Sequence, residues 1–406
     1  VRRRAEGGWS VIAAARDAGG PEEHVFDAVF VCTGQFRDPL VPELPNLAAF
    51  RGHVSHSAAY RSPRHLAGRR VVVVGIGNSA LDISLEAARS GASSVVILCR
   101  SGTNIVPVAD YHGMPADQMF NTRAYEALPR TLRNLLFFRV VQGTNAKFRH
   151  HGMPAPTVGK GSMGFANLKE HVEYRRMLEE GRIRFVAGAV GELREASLVT
   201  TEGEELGADE VILCTGYRMS FPFLEPELAD AFLARSASGG LHLSAYRLVM
   251  HPVEPTLCAL SFVLTFGNES CVGEMQARWA LAHWVGRRPL PSRAALEADL
   301  ARRRQGGKYP QFVPYISYMD TLAEACDAVP PIGWATLLQS PWLFWKLWAS
   351  PVVPAQFRIA GCHAWGEAAD FVRAQPPAAL RWAGVLWAPP GSASAKPALS
   401  PPASRL

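Results

Sequence analysis

The chain has 406 residues, of which 48% are hydrophobic and 19% charged, so it is long enough for two or three ordered domains with ample core. Its net charge of +6 suits an anionic cofactor or an anionic membrane surface, whereas the basic residues are scattered and form no aromatic–basic array that would bind nucleic acid. The seven cysteines show no CxxC spacing and no metal-ligand pairing, which predicts free thiols, a reducing compartment and no bound metal.

The amino-terminal residues predict strands. An amphipathic segment covers Trp9 to Ala15 and an apolar segment covers Phe26 to Cys32, so the sequence starts within a sheet and we expect part of the parent protein to precede it. The apolar segment leads into Cys32-Thr33-Gly34, and a later apolar strand ends in the same way, at Cys214-Thr215-Gly216. Two such turns that bracket one nucleotide-binding unit are typical of flavoproteins with two nested dinucleotide domains, although a coincidental pair is the alternative.

Residues 69 to 102 predict that unit. The apolar run Val71 to Val74 fits a buried parallel strand, a helix follows to about Arg89, and a second strand covers Val95 to Cys99. This order of strand, turn, helix and strand is the βαβ unit on which dinucleotide sites are built.

The turn between the first strand and the helix carries the Gly-x-Gly-x-x-Gly/Ala pattern at Gly75, Gly77 and Ala80. The first glycine permits a tight turn, the second allows a pyrophosphate to approach the backbone, and the small third residue allows close packing of helix on strand. The helix amino terminus then presents N–H groups to the phosphates. The remaining predicted cofactor contacts in this helix are Asn78, Ser79, Leu81 and Asp82. The alternative is a βαβ unit without a ligand.

The second strand ends at Arg100-Ser101 rather than at an acidic residue. An Asp or Glu there would bind the ribose 2′-hydroxyl of NAD, whereas an Arg suits the 2′-phosphate of NADP. The sequence therefore favours NADP(H), with a solvated Arg100 at a strand end as the alternative.

The segment Phe50 to Arg61 fits the pattern Phe-x-Gly-x-x-x-His-x-x-x-Tyr in full, and here the chain resembles the flavin-containing monooxygenases. The resemblance runs from Val25 to about Phe371, and the segment 145 to 150, NAKFRH, is similar to the insertion of the vertebrate microsomal, dimethylaniline monooxygenase-like branch. The other matching segments are Gly75 to Ile83, Arg100 to Gly102, Cys214 to Tyr217, Pro222 to Leu224 and Met275 to Ala280.

This resemblance implies an α/β fold in which a Rossmann-like NADPH domain is inserted in an FAD domain, the latter incomplete in this sequence. It implies FAD and NADP(H) as cofactors and O2 and a small lipophilic molecule as substrates. NADPH would reduce FAD, and a flavin C4a-hydroperoxide would oxygenate a soft N or S centre or a ketone. It also implies the cytosolic face of the endoplasmic reticulum membrane, although the sequence contains no membrane-spanning run.

The roles of three further residues follow only from the resemblance. Gln276 is either a flavin contact or a packing residue. His56 and Tyr60 are either structural or directly chemical. Because the flavin side of the family's active site is missing from the sequence, no catalytic residue is assigned.

The sequence contains one further glycine triplet, in Gly159 to Gly164, which we interpret as a loop because no apolar strand precedes it. The family's own FAD-binding Gly-x-Gly-x-x-Gly does not occur, so we expect the 406 residues alone to be inactive.

The predicted organisation has five parts. They are residues 1–62, the end of the first FAD segment and linker; 63–216, the NADPH domain with an insertion at about 106–165 and a helix over Pro129 to Val141; 217–330, the returning FAD segment; 331–388, a Trp- and Pro-rich region; and 389–406, a disordered tail.

The carboxy-terminal region leaves its environment open. The segment Pro341 to Pro354 combines three tryptophans with a lysine, as interfacial segments do, but a core position fits equally well. Peripheral membrane contact and homo-oligomerisation therefore both stay open. Two functions are carried forward, a monooxygenase and a non-catalytic NADP-binding or scaffold protein, while the missing CxxC disfavours a disulfide reductase.

Overall fold

The computed structural model describes residues 1–14, 20–107, 115–156, 165–168, 171–236, 239–304 and 311–378. Its helices and strands form two large apolar cores, one around a five-stranded parallel sheet and one around a long helix of the second half. The described α-helices are Asn78–Arg89, Ala116–Phe120, Arg123–Glu126, Arg130–His150, His171–Glu179, Pro226–Ala231, Glu269–Trp284, Arg293–Arg304, Tyr315–Ala323, Trp334–Gln339, Pro341–Ala349 and Ala368–Ala374.

The described strands are mostly short. They are Arg2–Arg3, Trp9–Ala13, Glu22–Phe26, Val29–Val31, Asp38–Pro39, His53–His56, Arg70–Val74, Ser94–Cys99, Asn104–Pro107, Phe165–Leu168, Ile183–Ala187, Val190–Arg194, Ser197–Thr200, Glu205–Gly207, Glu210–Leu213, Tyr217–Arg218, Leu233–Arg235, Leu241–Leu243, Leu257–Ala259, Leu264–Thr265 and Phe312–Val313.

The parallel sheet positions the nucleotide-binding unit. Its spatial order is Ile183–Ala187, Ser94–Cys99, Arg70–Val74, Glu210–Leu213 and His53–His56, and every pairing is parallel. The strand order therefore reverses beside Arg70–Val74, which is the topological switch point where open α/β sheets bind ligands. The edge strand His53–His56 precedes the others in the chain, so the sheet begins before the boundary predicted at residue 62.

Both faces of this sheet are covered, as its valine-rich strands require. One face carries the helices Asn78–Arg89 and His171–Glu179, which are joined by a 2.8 Å hydrogen bond between the hydroxyls of Ser84 and Tyr174. The opposite face packs against the antiparallel strands of residues 190–207.

An ion-pair cluster lies at the amino-terminal ends of the strands of this sheet. The fully buried carboxylate of Glu210 lies 2.6 Å from His53 Nδ1 and 3.2 Å from Arg69 Nη1. The neighbouring guanidinium of Arg70 hydrogen-bonds Asp209 and lowers the pKa of that carboxyl to about 2. These charges lie at the end of the sheet opposite the glycine turn, so they contribute to stability rather than to a ligand site.

The rest of the described structure belongs to a second unit. Strand Val29–Val31 pairs in parallel with Leu257–Ala259, so residues from the start of the chain meet residues of its second half. The predicted apolar strand over Phe26 to Cys32 is thus divided, because Glu22–Phe26 pairs instead with Trp9–Ala13. The helix Glu269–Trp284 lies in the core of this unit.

The two units are joined where the Thr-Gly turns end. Strands Asp38–Pro39 and Tyr217–Arg218 pair antiparallel, and the Leu40 amide donates to the Gly216 carbonyl at 2.9 Å. The chain thus leaves the second unit and returns to it through two hydrogen-bonded segments, which agrees with the predicted nesting.

The insertion contains a longer helix than the sequence predicted. The helix predicted over Pro129 to Val141 begins at Arg130 and continues to His150. Gly143 does not end the helix. The left-handed glycine that follows the helix is Gly152, with φ +89°. The insertion packs on the second unit through an ion pair between Arg123 and Asp320. The loop predicted over Gly159 to Gly164 and the tail predicted over 389–406 lie outside the described residues.

Two helices, Trp334–Gln339 and Pro341–Ala349, pack against each other in the carboxy-terminal region. In the second helix Leu343 and Leu347 are buried, whereas Trp342 is 56% exposed. Within the described part of the chain, no helix has the length and apolar character needed to cross a membrane.

Candidate functional site: a glycine turn at the sheet switch point

The turn after strand Arg70–Val74 is shaped by Gly75. Its φ is +122°, and a Cβ built there would lie 3.0 Å from the carbonyl carbon of Cys214 and overlap the oxygen of that carbonyl. The Gly75 amide also donates to the Leu98 carbonyl at 2.9 Å. A side chain at this position would therefore push apart the two strands that form the switch point, so the fold itself requires this glycine.

Gly77 differs from Gly75, because no contact with a described protein atom requires a glycine at this position. Its φ of −79° and ψ of −177° are ordinary extended values that any residue adopts, and a Cβ built there would meet nothing within 4 Å. Gly77 is the N-cap of helix Asn78–Arg89, which has no side-chain cap and no acidic residue in its first turn. The open space in front of this helix amino terminus fits a pyrophosphate group.

The rest of the predicted motif divides by exposure. Ala80 and Leu81 are fully buried, and the Ala80 amide donates to the Gly77 carbonyl at 3.0 Å. The small Ala80 side chain lets the helix lie close against the strands, as the motif predicts. Asn78, Ser79 and Asp82 are exposed on the solvent side of the same helix.

Arg100 lies beside this turn. The sheet register pairs Val74 with Leu98, so Arg100 follows its strand at the level where Ile76 follows the neighbouring one. Arg100 is exposed, and no hydrogen bond or ion pair links it to another residue of the described ranges. Ser101 is half-buried. The Arg100 guanidinium pairs with no described residue. It lies where the 2′-phosphate of NADP(H) would be recognised.

The residues after Arg100 contact the end of the insertion. A Cβ built at Gly102 would overlap the Pro154 carbonyl, and the Gly102 amide donates to the Ala155 carbonyl at 3.3 Å. The segment after the insertion helix therefore packs against the Arg100 side of the turn. The sequence does not reveal this contact, because nothing in the composition of residues 152–156 indicates which distant segment they meet.

His56 and Tyr60 both contact protein groups. The His56 Nδ1 accepts a 3.1 Å hydrogen bond from the Ala58 amide, and its ring meets the Tyr217 ring edge-on, with centroids 5.2 Å apart. The Tyr60 hydroxyl donates to Glu86 at 2.8 Å, on the helix that the glycine turn opens. These contacts favour the structural alternative for both residues, because His56 packs against the connecting strand at Tyr217 and Tyr60 is bonded to the helix Asn78–Arg89.

The Gln276 amide is fully buried and hydrogen-bonded by protein. Its oxygen accepts from the Ser261 amide at 2.7 Å, and its nitrogen donates to the Tyr318 hydroxyl at 2.8 Å and the Leu248 carbonyl at 3.3 Å. Both Leu248, with φ +57°, and Ser261, with φ +61°, have left-handed backbone. Gln276 thus stabilises two strained loops, which favours the packing alternative, and its flavin contact stays a prediction. No sequence pattern indicated a role for Tyr318 or Ser261.

The described residues fit one of the two predicted cofactors directly. The glycine turn with Arg100 fits NADP(H). For FAD, the described ranges contain no second strand–glycine turn–helix, so none of their residues is assigned to the flavin pyrophosphate.

Comparison with known proteins identifies the family. The model of the flavin-binding monooxygenase-like family matches residues 3–381. The chain belongs to this family. An N-oxide-forming dimethylaniline monooxygenase 2 of Macaca mulatta and the flavin-containing monooxygenase 2 of Homo sapiens are each 30% identical to it over 381 residues, which cover 91% of this chain and 69% of the relative.

Solved structures show the same fold at lower identity. The S-allyl-L-cysteine S-oxygenase of Allium sativum superposes with a TM-score of 0.53 at 21% identity, covering 80% of this chain but only 59% of that one, which is less than two thirds of its length. A cyclohexanone monooxygenase in its open form gives 0.52 at 16% identity, covering 76% and 74%. The predicted family and the nested α/β flavoprotein fold are therefore confirmed, and FAD and NADP(H) are the cofactors of this family.

Proposed function

We propose that this chain carries the NADPH-binding domain and the returning FAD segment of a flavin-dependent monooxygenase that oxygenates soft N or S centres, or ketones, of small lipophilic molecules. The observation that supports this most is the open glycine turn at Gly77, beside the guanidinium of Arg100, which no described residue pairs. This pair of features suits a ligand with a pyrophosphate and a second phosphate, as NADPH has.

The choice of NADPH over NADH rests on charge. A guanidinium binds a phosphate through charge-assisted, bidentate hydrogen bonds, whereas a ribose 2′-hydroxyl prefers a carboxylate. The second strand is followed by Arg100 and Ser101, and neither supplies the carboxylate that would accept a hydrogen bond from that hydroxyl. NADPH should therefore bind more tightly than NADH.

The bound flavin would supply electron transfer from NADPH to O2 and oxygen transfer to the substrate. The residues of this chain orient the nicotinamide nucleotide toward it. The paired connecting strands Asp38–Pro39 and Tyr217–Arg218 keep the glycine turn in a defined position relative to the second unit.

The substrate class comes from the relatives. Their names specify N-oxide formation on dimethylaniline and S-oxygenation of S-allyl-L-cysteine, both at soft heteroatoms. A neighbour of 16% identity is named a cyclohexanone monooxygenase, so ketones belong to the same proposal. Attachment to the endoplasmic reticulum membrane, with the exposed Trp342 at its surface, remains part of the proposal as well.

A second function is favoured by one observation. The described residues contain a single strand–glycine turn–helix, which is one dinucleotide site. One such site is sufficient for a protein that binds NADP(H) and carries out no oxygenation. The two functions share the nucleotide site and differ in the use of flavin.

Two measurements test the proposal. Calorimetry on the 406 residues should show NADPH binding with at least ~tenfold preference over NADH, the effect of one charge-assisted contact, and no preference would overturn the nucleotide assignment. Expression from the complete open reading frame that contains these residues, with FAD supplied, should then give NADPH oxidation that increases with a tertiary amine or thioether. Tight NADPH binding without any oxygenated product would establish the non-catalytic alternative instead.

A further inference from the structure

Two cysteines distant in sequence are adjacent in the second unit. Cys326 ends a short 3-10 helix after Tyr315–Ala323, and Cys362 lies in the loop before Ala368–Ala374. The Cys362 amide donates to the Cys326 carbonyl at 3.3 Å, and the Cys362 thiol donates to the same oxygen at 3.2 Å. Burial and the neighbouring Cys362 side chain both raise the pKa of the Cys326 thiol.

The backbone enforces this proximity. Gly361 has φ +83°, and a Cβ built there would lie 2.6 Å from the Cys326 carbonyl oxygen, so only glycine permits the two segments to touch. A disulfide requires Cα atoms roughly 4.4–6.8 Å apart. The direct backbone hydrogen bond between Cys362 and Cys326 holds the two residues near this range.

The two thiols differ in access. Cys326 is 1% exposed, whereas Cys362 is half-buried and is followed by His363, which lines an open cleft of about 790 Å³ with Trp365 and Phe371. Arg278 donates to the Cys362 carbonyl at 3.1 Å and brings a positive charge to the pair. A partly exposed cysteine beside a buried one is the arrangement of an attacking and a resolving cysteine.

We propose that Cys362 and Cys326 form a reversible disulfide when the protein meets a hydroperoxide. The Cys362 sulfur attacks the peroxide, so that an S–O bond forms, the O–O bond breaks and water or an alcohol leaves. The Cys326 sulfur then attacks the sulfenic acid, an S–S bond forms, and the hydroxyl leaves as water. The two thiols lose two electrons and two protons, and the peroxide takes up both. A dithiol reductant reverses the reaction.

The buried partner limits the rate. Burial raises the pKa of the Cys326 thiol to about 11, so few Cys326 thiolates are available at neutral pH. Formation of the bridge should therefore become faster as the pH rises above neutrality. The bridge would fasten the cleft-lining segment after Cys362 to the helix Tyr315–Ala323.

The experiment uses the folded 406-residue chain with hydrogen peroxide. Peptide mass spectrometry without reduction should find a Cys326–Cys362 cross-link, and thermal melting should show a higher midpoint that dithiothreitol reverses. In Cys326→Ala, Cys362 should accumulate as a sulfenic acid that dimedone labels, whereas the wild-type protein should lose that label as the bridge forms. Cys32→Ser, which removes an exposed thiol outside the pair, should behave as wild type.

Three results would overturn the proposal. These are cross-links that involve other cysteines at equal yield, an unchanged dimedone label on Cys362 in wild type and Cys326→Ala, and a melting shift that persists in Cys362→Ser. Because Cys362 is half-buried, its serine variant should fold, and circular dichroism before oxidation verifies this.

Discussion

Replacing Gly77 by alanine should weaken nucleotide binding without harming the fold. The backbone at Gly77 is extended, and the added methyl group would meet no described protein atom within 4 Å. We therefore expect the free energy of unfolding to change by less than about 0.5 kcal/mol. In the complex the same methyl group would occupy the space of a pyrophosphate oxygen at the helix amino terminus.

The size of the binding defect follows from the hydrogen bonds that the displaced pyrophosphate can no longer accept. A charge-assisted hydrogen bond from a backbone N–H to a phosphate is worth roughly 1.5–3 kcal/mol. Displacement of the pyrophosphate should break at least one of them, which corresponds to a roughly 10- to 100-fold weaker Kd.

Gly75→Ala is the matched control, because its effect should be the reverse. At φ +122° an alanine is strained by roughly 1–3 kcal/mol and its methyl group collides with Cys214, so the protein should lose stability before it loses affinity. Urea unfolding and NADPH calorimetry on both variants separate the two effects. Wild-type affinity in Gly77→Ala, or a loss of stability as large as that of Gly75→Ala, would refute this reasoning.

Arg100, His251 and Ser261 each give a further prediction. Arg100→Ala should weaken NADPH binding by ~1.5–3 kcal/mol and leave NADH binding unchanged, as measured by calorimetry, because only the 2′-phosphate needs the guanidinium. Burial lowers the pKa of His251 to about 4, so between pH 6.5 and 4 the folded protein binds fewer protons than the unfolded chain. The contribution of His251 to the free energy of unfolding is therefore complete above pH 6.5 and is lost as the pH falls toward 4. Urea titrations should show a loss of up to about 3 kcal/mol over this range. Ser261→Gly should raise the melting temperature by relieving left-handed backbone worth ~0.5–1 kcal/mol.

Each of these has its own control. Equal loss of NADH and NADPH affinity in Arg100→Ala would assign the residue a structural role. The acid sensitivity should diminish in His251→Gln and persist in His65→Gln, whose ring is exposed, and the opposite pattern would place the titrating group elsewhere. Ser340→Gly changes a residue with φ −150°, so it should give no gain in stability.

The connections between the units depend on residues distant in sequence. The repeat of Cys-Thr-Gly indicated two crossings, but the sequence could not show that Leu40 and Gly216 are hydrogen-bonded to each other. Nor could it show that Arg123 and Asp320 join the insertion to the second unit. Long-range pairs of this kind leave no local pattern, because each partner is an ordinary polar or apolar residue in its own segment.

The order of the amino acids was enough to predict the nucleotide-binding unit, since the strand, the glycine turn and the helix are local and each has a compositional cause. It was also enough to predict the family, through motifs that are continuous in the chain. The folded arrangement was needed to separate the two glycines, because Gly75 is required by a neighbouring strand and Gly77 by none of the described protein. It was needed as well to find Gln276 satisfied by Ser261 and Tyr318, since a buried amide can be assigned partners only when the segments that supply them are brought together.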